Sequence, residues 1–314
     1  MGSIFTRPFV TYDKWKTDKA KNKLQKLSES EAKVELDFSP LQIHQENKLQ
    51  LYLNPNDEGL SVDLIKWRFR EPVYTYLFNK FLQEEQKNID SLIDIGSNIG
   101  YFPKIELMSG IRKIMAIEPI PDTFHFLEKN IGASKKTNLF NMAISDKKER
   151  LKLYSPIKRN LATAVQNIDN SESAVNIVEA VSLKEFIEQK ELQGENIVIR
   201  MDVEGFEKTI LKEIPKEVYG ITFEMHPHFI GAQSTLDLLN KMRDEGFKIW
   251  AMLHSGVVSV YVLTYHIGLS KAIRVFEYMT HKPQIFMDKN LEDINFVNRL
   301  VMEGQSTHII VKKP

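Results

Sequence analysis

The 314 residues carry 42 Lys plus Arg against 42 Asp plus Glu, a formal net charge of zero with neutral histidines, and no cysteine. Without thiols there is no disulfide framework, no cysteine-ligated zinc or iron–sulfur centre and no cysteine nucleophile, and balanced charge removes the broad pull toward nucleic acid. At 42% hydrophobic residues with 14 Gly and 12 Pro, the chain is ordinary globular material, long enough for two domains or one large α/β domain with additions.

Met1 to Val10 lacks a basic region followed by an apolar run, so no secretory signal is expected and the cytoplasm is the default location. Met1-Gly2-Ser3-Ile4-Phe5-Thr6 fits the loose N-myristoylation pattern, which matches many sequences by chance. Lys14 to Lys26 holds six lysines and one aspartate, and Glu29 and Glu31 follow. This reads as a solvated helix with a thin apolar stripe of Trp15, Leu24, Leu27 and Val34. Residues 1–37 are expected to be a charged helical arm lying on the body; attachment to an acidic glycan or membrane surface is the sharper alternative.

From Phe38 to Leu53 the positions Leu41, Ile43, Leu49, Leu51 and Leu53 alternate, with a break at Gln45-Glu46-Asn47 that suits a hairpin turn. Asn54 to Gly59 is a loop, and Val73, Tyr76, Leu77, Phe81 and Leu82 fall at helical spacing. Residues 38–90 are thus expected to form a prelude of β-hairpin and helix. From Ser91 onward apolar strands (91–95, 113–117, 196–201, 220–225) alternate with helical stretches (102–108, 122–130, 208–213). That rhythm implies right-handed crossovers and a largely parallel, doubly wound Rossmann-like sheet over residues 91–314. Arg150 to Tyr154 and Ile177 to Val181 read as short strands flanking a polar loop through Asn170-Ser171-Glu172-Ser173. His308 to Val311 is expected to close the sheet by antiparallel insertion. Residues 256–300 look like an added lid or dimerisation element, in which Phe276, Tyr278 and Phe286 either stack on an acceptor or simply pack. Its most apolar run, Gly256 to Ser270, is shorter than the ~20 residues of a spanning helix.

The most informative passage is Asp94-Ile-Gly96-Ser-Asn98-Ile-Gly100-Tyr-Phe-Pro103: a buried strand, a tight loop with two glycines and a helix start that proline suits. Gly96 and Gly100 permit backbone conformations or close approaches closed to other residues, which admits a ligand at the strand's carboxyl end. The next strand ends in Glu118-Pro119, where a carboxylate accepts two ribose hydroxyls. A dinucleotide site would want G-x-G-x-x-G, but Asn98 stands where the second glycine belongs. Acidic Asp94 disfavours a phosphate and suits a ligand with an ammonium or sulfonium group. S-adenosylmethionine carries both and no phosphate.

Asp94-Ile-Gly-Ser-Asn98-Ile-Gly100-Tyr-Phe, Ala116-Ile-Glu118-Pro119, Ala143-Ile-Ser-Asp146 and Arg200-Met-Asp202-Val-Glu204-Gly205-Phe-Glu207 resemble, in order and spacing, the successive motifs of FkbM-type methyltransferases. The resemblance runs from about residue 49 to 250 and includes the prelude Phe69-Arg70-Glu71-Pro72. It implies a class I, S-adenosylmethionine-dependent methyltransferase with a seven-stranded sheet, the last strand antiparallel, acting on a hydroxyl of a sugar or natural product. It also implies that Asp94, Gly96, Asn98 and Gly100 surround the methionine and ribose of the cofactor, that Glu118 holds the ribose hydroxyls and that Asp146 lies near the adenine amino group. Arg200 departs from the family's usual lysine, a change that alters hydrogen-bond geometry. The bland alternatives are that Asp94 and Asn98 only satisfy backbone donors and that Asp146 belongs to a turn.

Methyl transfer to an alcohol needs an in-line oxygen and a base, supplied from the carboxyl ends of central strands. His226 is the first candidate base and Asp202 the second, with Glu204 beside them; Glu224 shares a strand face with His226. Alternatively Asp202 meets the cofactor's ammonium, Glu204 caps a helix and His226 is a core histidine. A divalent metal on Asp202, Glu224 and His226 is a further route, which spacing alone does not favour. The segment Met-Asp-Val-Glu also argues against a base-directed N-methyltransferase. The expected activity is therefore O-methylation of a small-molecule or glycan acceptor, without nucleic acid or a transmembrane segment and with a homo-oligomer left open. The rivals are a dinucleotide-dependent oxidoreductase and a non-catalytic Rossmann-like binding module.

Overall fold

A computed structural model describes residues 7–28, 32–41, 43, 49–156, 173–226, 230–254, 284–287 and 306–314. In chain order the elements are α1 (Arg7–Leu24), β1 (Lys33–Glu35), β2 (Gln50–Tyr52), α2 (Leu60–Trp67), α3 (Pro72–Glu85), β3 (Ser91–Ile95), α4 (Tyr101–Met108), β4 (Ile114–Ile117), α5 (Pro121–Ile131) and β5 (Thr137–Phe140). They continue with β6 (Ala143–Ser145), β7 (Glu149–Pro156), β8 (Ser173–Ser182), α6 (Leu183–Gln189), β9 (Ile197–Met201), α7 (Glu207–Ile210), β10 (Val218–Met225), α8 (Ala232–Asp244), β11 (Lys248–His254), β12 (Gln284–Met287) and β13 (Thr307–Lys312).

The main sheet has the order β12-β11-β13-β10-β9-β3-β4-β5. Strands β5, β4, β3, β9 and β10 run parallel, while β13 is antiparallel to both β10 and β11. This is the expected seven-stranded doubly wound sheet with one reversed strand, extended at its edge by β12 from the insertion, antiparallel to β11. Every residue of β3, β4 and β9 is buried, as helices on both faces require of a parallel sheet. Strand order reverses between β3 and β9, and such a switch point opens a crevice at the carboxyl ends of the strands.

The front hairpin departs from the expected pattern. The first strand of the front hairpin is Lys33–Glu35, paired with Gln50–Tyr52, whereas Leu41 lies in a 3-10 turn; alternation after Phe38 does not specify which residues pair. The turn placed at Gln45-Glu46-Asn47 lies outside the described residues. Ala143–Ser145 leaves the main sheet and joins β8 and β7 in a separate three-stranded sheet. The polar loop at 170–172, most of the 256–300 segment and the side chain of Phe286 lie outside the described residues, as do Phe276 and Tyr278.

The arm is bound tightly. Ala20 and Leu24 of α1 are buried in the same core as Leu92 of β3, while Trp15 stays 55% exposed. Burial of a leucine is worth roughly 1.5–3 kcal/mol, so Leu24, with a smaller share from Ala20, holds a helix whose other face carries lysines. Lys66 donates to Thr17 at 2.8 Å and Lys21 to Glu58 at 2.6 Å. No helix among the described residues is long and apolar enough to cross a membrane.

Candidate active site

The loop after β3 is fixed by its own backbone. The amides of Gly96 and Ser97 donate to the carbonyl of Ile117 at 2.9 and 3.0 Å, and Ser97 Oγ bridges Asp94 O and the Ile117 amide. Gly96 has φ +80°, and a Cβ there would overlap the carbonyl oxygen of Asp202. Gly100 has φ +93°, and its Cβ would press on Ile131 at 2.8 Å. Both glycines are thus required by the packing of β9 and α5 against the loop, before any ligand is considered.

Asn98 also takes a left-handed conformation, φ 51°, which aims its amide at Glu118 Oε2, 3.0 Å away. Glu118 Oε1 accepts the Ile120 amide at 2.9 Å. Burial pushes the Glu118 carboxyl up to about 7, against the lowering effect of these two amides. Each carboxylate oxygen has a second lone pair, so the group remains able to accept two hydroxyls.

These residues line a cavity of about 810 Å³. Its lining combines apolar residues, among them Pro119, Ile120, Met142, Ile144 and Phe206, with the polar Arg70, Tyr101, Asp202 and Glu204. Thr17 and Lys21 of α1, Gln25 just after it, and Asn54, Pro55, Asn56, Glu58 and Gly59 border it as well, a contribution from the arm that its charge run did not disclose. Asp146 is elsewhere: it pairs with Lys212 at 2.7 Å on the surface, and the wall at β6 is made by Met142, Ala143 and Ile144. The turn after β6 thus sets Asp146 beside a lysine and outside the residues that line the cavity.

Asp94 and Gly100 do not border the cavity either. Asp94 is fully buried and opposes Arg200 in the β3–β9 register, accepting from Nη1 at 2.8 Å. Burial raises the Asp94 pKa while Arg200 lowers it. The guanidinium stacks on Phe102 with Cζ 3.8 Å from the ring centre and reaches Asp202 Oδ2 at 3.6 Å. Arg200, not Asp94, is what the cavity meets, and its planar fork is suited to spanning two carboxylates.

Glu204 has φ 48° and is followed by Gly205 at φ 93°, so the chain turns there while Asp202 and Glu204 both stay at the cavity. His226, 4% exposed, brings Nδ1 to Glu207 Oε1 at 2.7 Å and Nε2 to Glu204 Oε2 at 3.5 Å and Glu224 Oε1 at 3.8 Å. Burial works against its charge, but the Glu207 hydrogen bond and the charges of Glu224, Glu207 and Asp202 push the ring up to about 10. That surplus of negative charge favours the protonated ring, and a positive charge at Nε2, whether a proton or a cation, is what the three carboxylates around it would hold. Burial, then Asp202, pushes Glu204 up to about 7.

A second group adjoins: His308 Nε2 lies 3.1 Å from Glu71 Oε2 and 3.7 Å from Glu224 Oε2, its ring 4.1 Å from that of Tyr74. Glu71 takes φ 43° and pairs with Arg70 at 2.7 Å. Burial opposes that charge, and Arg70 and His308 together hold Glu71 far below the usual carboxylate range. Glu71, Asn98 and Glu204 are left-handed non-glycine residues, a conformation that costs of order 1 kcal/mol or more and persists where surroundings fix it. Glu207, Glu71 and His308 were not among the sequence candidates. Glu71 and Glu207 sit inside the quoted motifs, whereas His308 gave no local signal.

Residues 94–249 match the family model described as the methyltransferase FkbM domain. The hexuronic acid methyltransferase AglP of Haloferax volcanii is 30% identical over 159 residues, which is 50% of this chain and 63% of that protein; the match thus spans under two thirds of the relative. Among solved structures, a putative RNA methyltransferase from Pyrococcus horikoshii is 9% identical with a TM-score of 0.39, over 78% of this chain and 87% of its own. A SAM-dependent methyltransferase from Agrobacterium tumefaciens is 8% identical with a TM-score of 0.40, over 85% and 67%.

Proposed function

We propose, on the premise that this chain belongs to the methyltransferase FkbM family, that it transfers a methyl group from S-adenosylmethionine to a hydroxyl of a sugar-containing acceptor or secondary metabolite. The observation that carries the reading is Glu118, buried at the wall of the crevice with each oxygen already oriented by one amide and one lone pair of each remaining. That donor set fits a ribose diol, and the apolar wall from Pro119 to Phe206 fits an adenine ring. A cavity of about 810 Å³ has room for cofactor and acceptor together, since drug-sized ligands occupy sites of roughly 300–1,000 Å³.

When bound, S-adenosylmethionine supplies a methyl carbon whose bond to sulfur breaks, the electron pair staying on sulfur, as an acceptor oxygen bonds it. The protein's share is then placement and the removal of one proton. Glu118 holds the ribose end, and Asp202 and Glu204, which line the same cavity, are the groups that take the hydroxyl proton. His226 and Arg200 hold that carboxylate pair in position, and Arg70 and Tyr101 border the space for the acceptor. The relative AglP is a hexuronic acid methyltransferase, which favours a sugar acceptor here.

Calorimetry with S-adenosylhomocysteine and with NAD tests the cofactor: the former binds and the latter does not. Binding of NAD alone would replace the methyltransferase reading with the oxidoreductase one. Labelled methyl transfer to a panel of hexuronic acids and neutral sugars, with NMR of the product, then tests whether oxygen is the methylated atom.

A further inference from the structure

We infer that Asp202, Glu204 and His226 form a site for one divalent cation of the manganese class at the carboxyl ends of β9 and β10. One donor atom from each of the three lies within 4.8 Å of the other two. The separation between His226 Nε2 and Glu204 Oε2 is 3.5 Å, longer than the 2.7–2.9 Å of a strong charged hydrogen bond. Donors that share one ion at bonds of about 2.1 Å stand roughly 3.0 to 4.2 Å apart, according to whether they are adjacent or opposed. The pair falls in that range, as does Glu224 Oε1 at 3.8 Å from the same nitrogen.

Two independent features point to a cation. Glu207 is fully buried and takes His226 Nδ1 at 2.7 Å, which leaves Nε2 as the ligating atom in the carboxylate–histidine arrangement that orients metal-bound imidazoles. The second is an orphaned oxygen of a ligand itself: Asp202 Oδ1 is shut off from solvent and has no hydrogen-bond partner, and a buried carboxylate oxygen without a donor is costly unless a positive charge meets it. One nitrogen with several carboxylate oxygens suits manganese or zinc more than calcium, and the chain has no thiolate to draw softer ions.

The cation site stands without the methyl-transfer reading; its use in drawing charge from an acceptor hydroxyl rests on that reading. The test is a titration of the EDTA-treated full chain with manganese chloride, followed by the EPR signal of the free ion, alongside calorimetry with S-adenosylhomocysteine. One ion per chain is expected, with affinity falling at least tenfold in Asp202→Asn and in His226→Gln, each checked for an unchanged far-UV spectrum. Glu71→Gln, in the neighbouring Glu71–Glu224–His308 group, should retain the ion. Absence of manganese binding up to millimolar concentration in the wild type overturns the proposal, as does loss in Glu71→Gln with retention in Asp202→Asn. Manganese binding without S-adenosylhomocysteine binding keeps the cation site and sinks the methyltransferase.

Discussion

Glu118→Gln separates the demands of folding from those of binding. In the free protein burial raises the Glu118 pKa from 4.5 to about 7. A carboxyl raised on folding contributes stability that is fully present below the unfolded pKa and is lost as pH rises through the folded one. That span is roughly 2.5 pH units, and at 1.36 kcal/mol per unit it amounts to about 3 kcal/mol. Glutamine keeps the shape and one acceptor but turns an amide group toward either Asn98 N–H or Ile120 N–H, a lost hydrogen bond of about 1 kcal/mol. At pH 8 the variant is therefore expected to be more stable than the wild type by about 2 kcal/mol, and near pH 4.5 less stable by about 1 kcal/mol. Affinity for S-adenosylhomocysteine should move the other way, because an ionised acceptor of two ribose hydroxyls is lost; charged hydrogen bonds at 1.5–3 kcal/mol each imply at least a tenfold weakening. Urea denaturation across pH 4.5 to 8 and calorimetry at pH 8 measure both. A stability difference that does not change with pH, or an unaltered affinity, would refute this account of Glu118.

Gly96→Ala should lower stability by several kcal/mol in urea melts, since its Cβ meets backbone at Asp202 and φ is +80°. Gly100→Ala, which meets only side chains, should cost less; the reverse order would contradict the packing described. Arg200→Met leaves Asp94 buried without its partner and should cost about 3–5 kcal/mol, whereas Arg200→Met with Asp94→Asn should recover part of it in a double-mutant cycle. Asp146→Ala should leave S-adenosylhomocysteine affinity within twofold by calorimetry, and a tenfold loss would return Asp146 to the cofactor.

What sequence could supply was local. Runs such as Ser91–Ile95 and Ile197–Met201 are apolar without alternation, the mark of a strand buried on both faces, and the carboxylates at their ends follow from where ligands bind in such sheets. Asp94 shows the limit: its place at the strand end was legible, but its burial against Arg200 depends on a register between strands 106 residues apart. His308 and Glu71 are 237 residues apart, and neither belongs to a spacing pattern that joins them. The left-handed turns at Glu71 and Glu204 are equally silent, since glutamate has no preference for that region. Asp146 shows a different limit: Ser-Asp-Lys-Lys reads the same whether the turn faces a cavity or a surface lysine such as Lys212.

The position of β13 has a consequence for the order of events at synthesis. Thr307–Lys312 follows every other described strand in the chain, yet it lies between β10 and β11 with partners on both sides. Until it emerges, β10 has an open edge and β11 has no place in the sheet, so the nascent chain carries an unpaired strand edge of the kind that invites pairing between copies. His308 arrives with it, and with His308 the last partner of Glu71 and Glu224. A growing polypeptide therefore holds the Glu118 cradle for nearly two hundred residues of translation before the acidic side of the site is closed. Ribosome profiling with a chaperone pull-down should find the longest retention in the interval between β11 and β13.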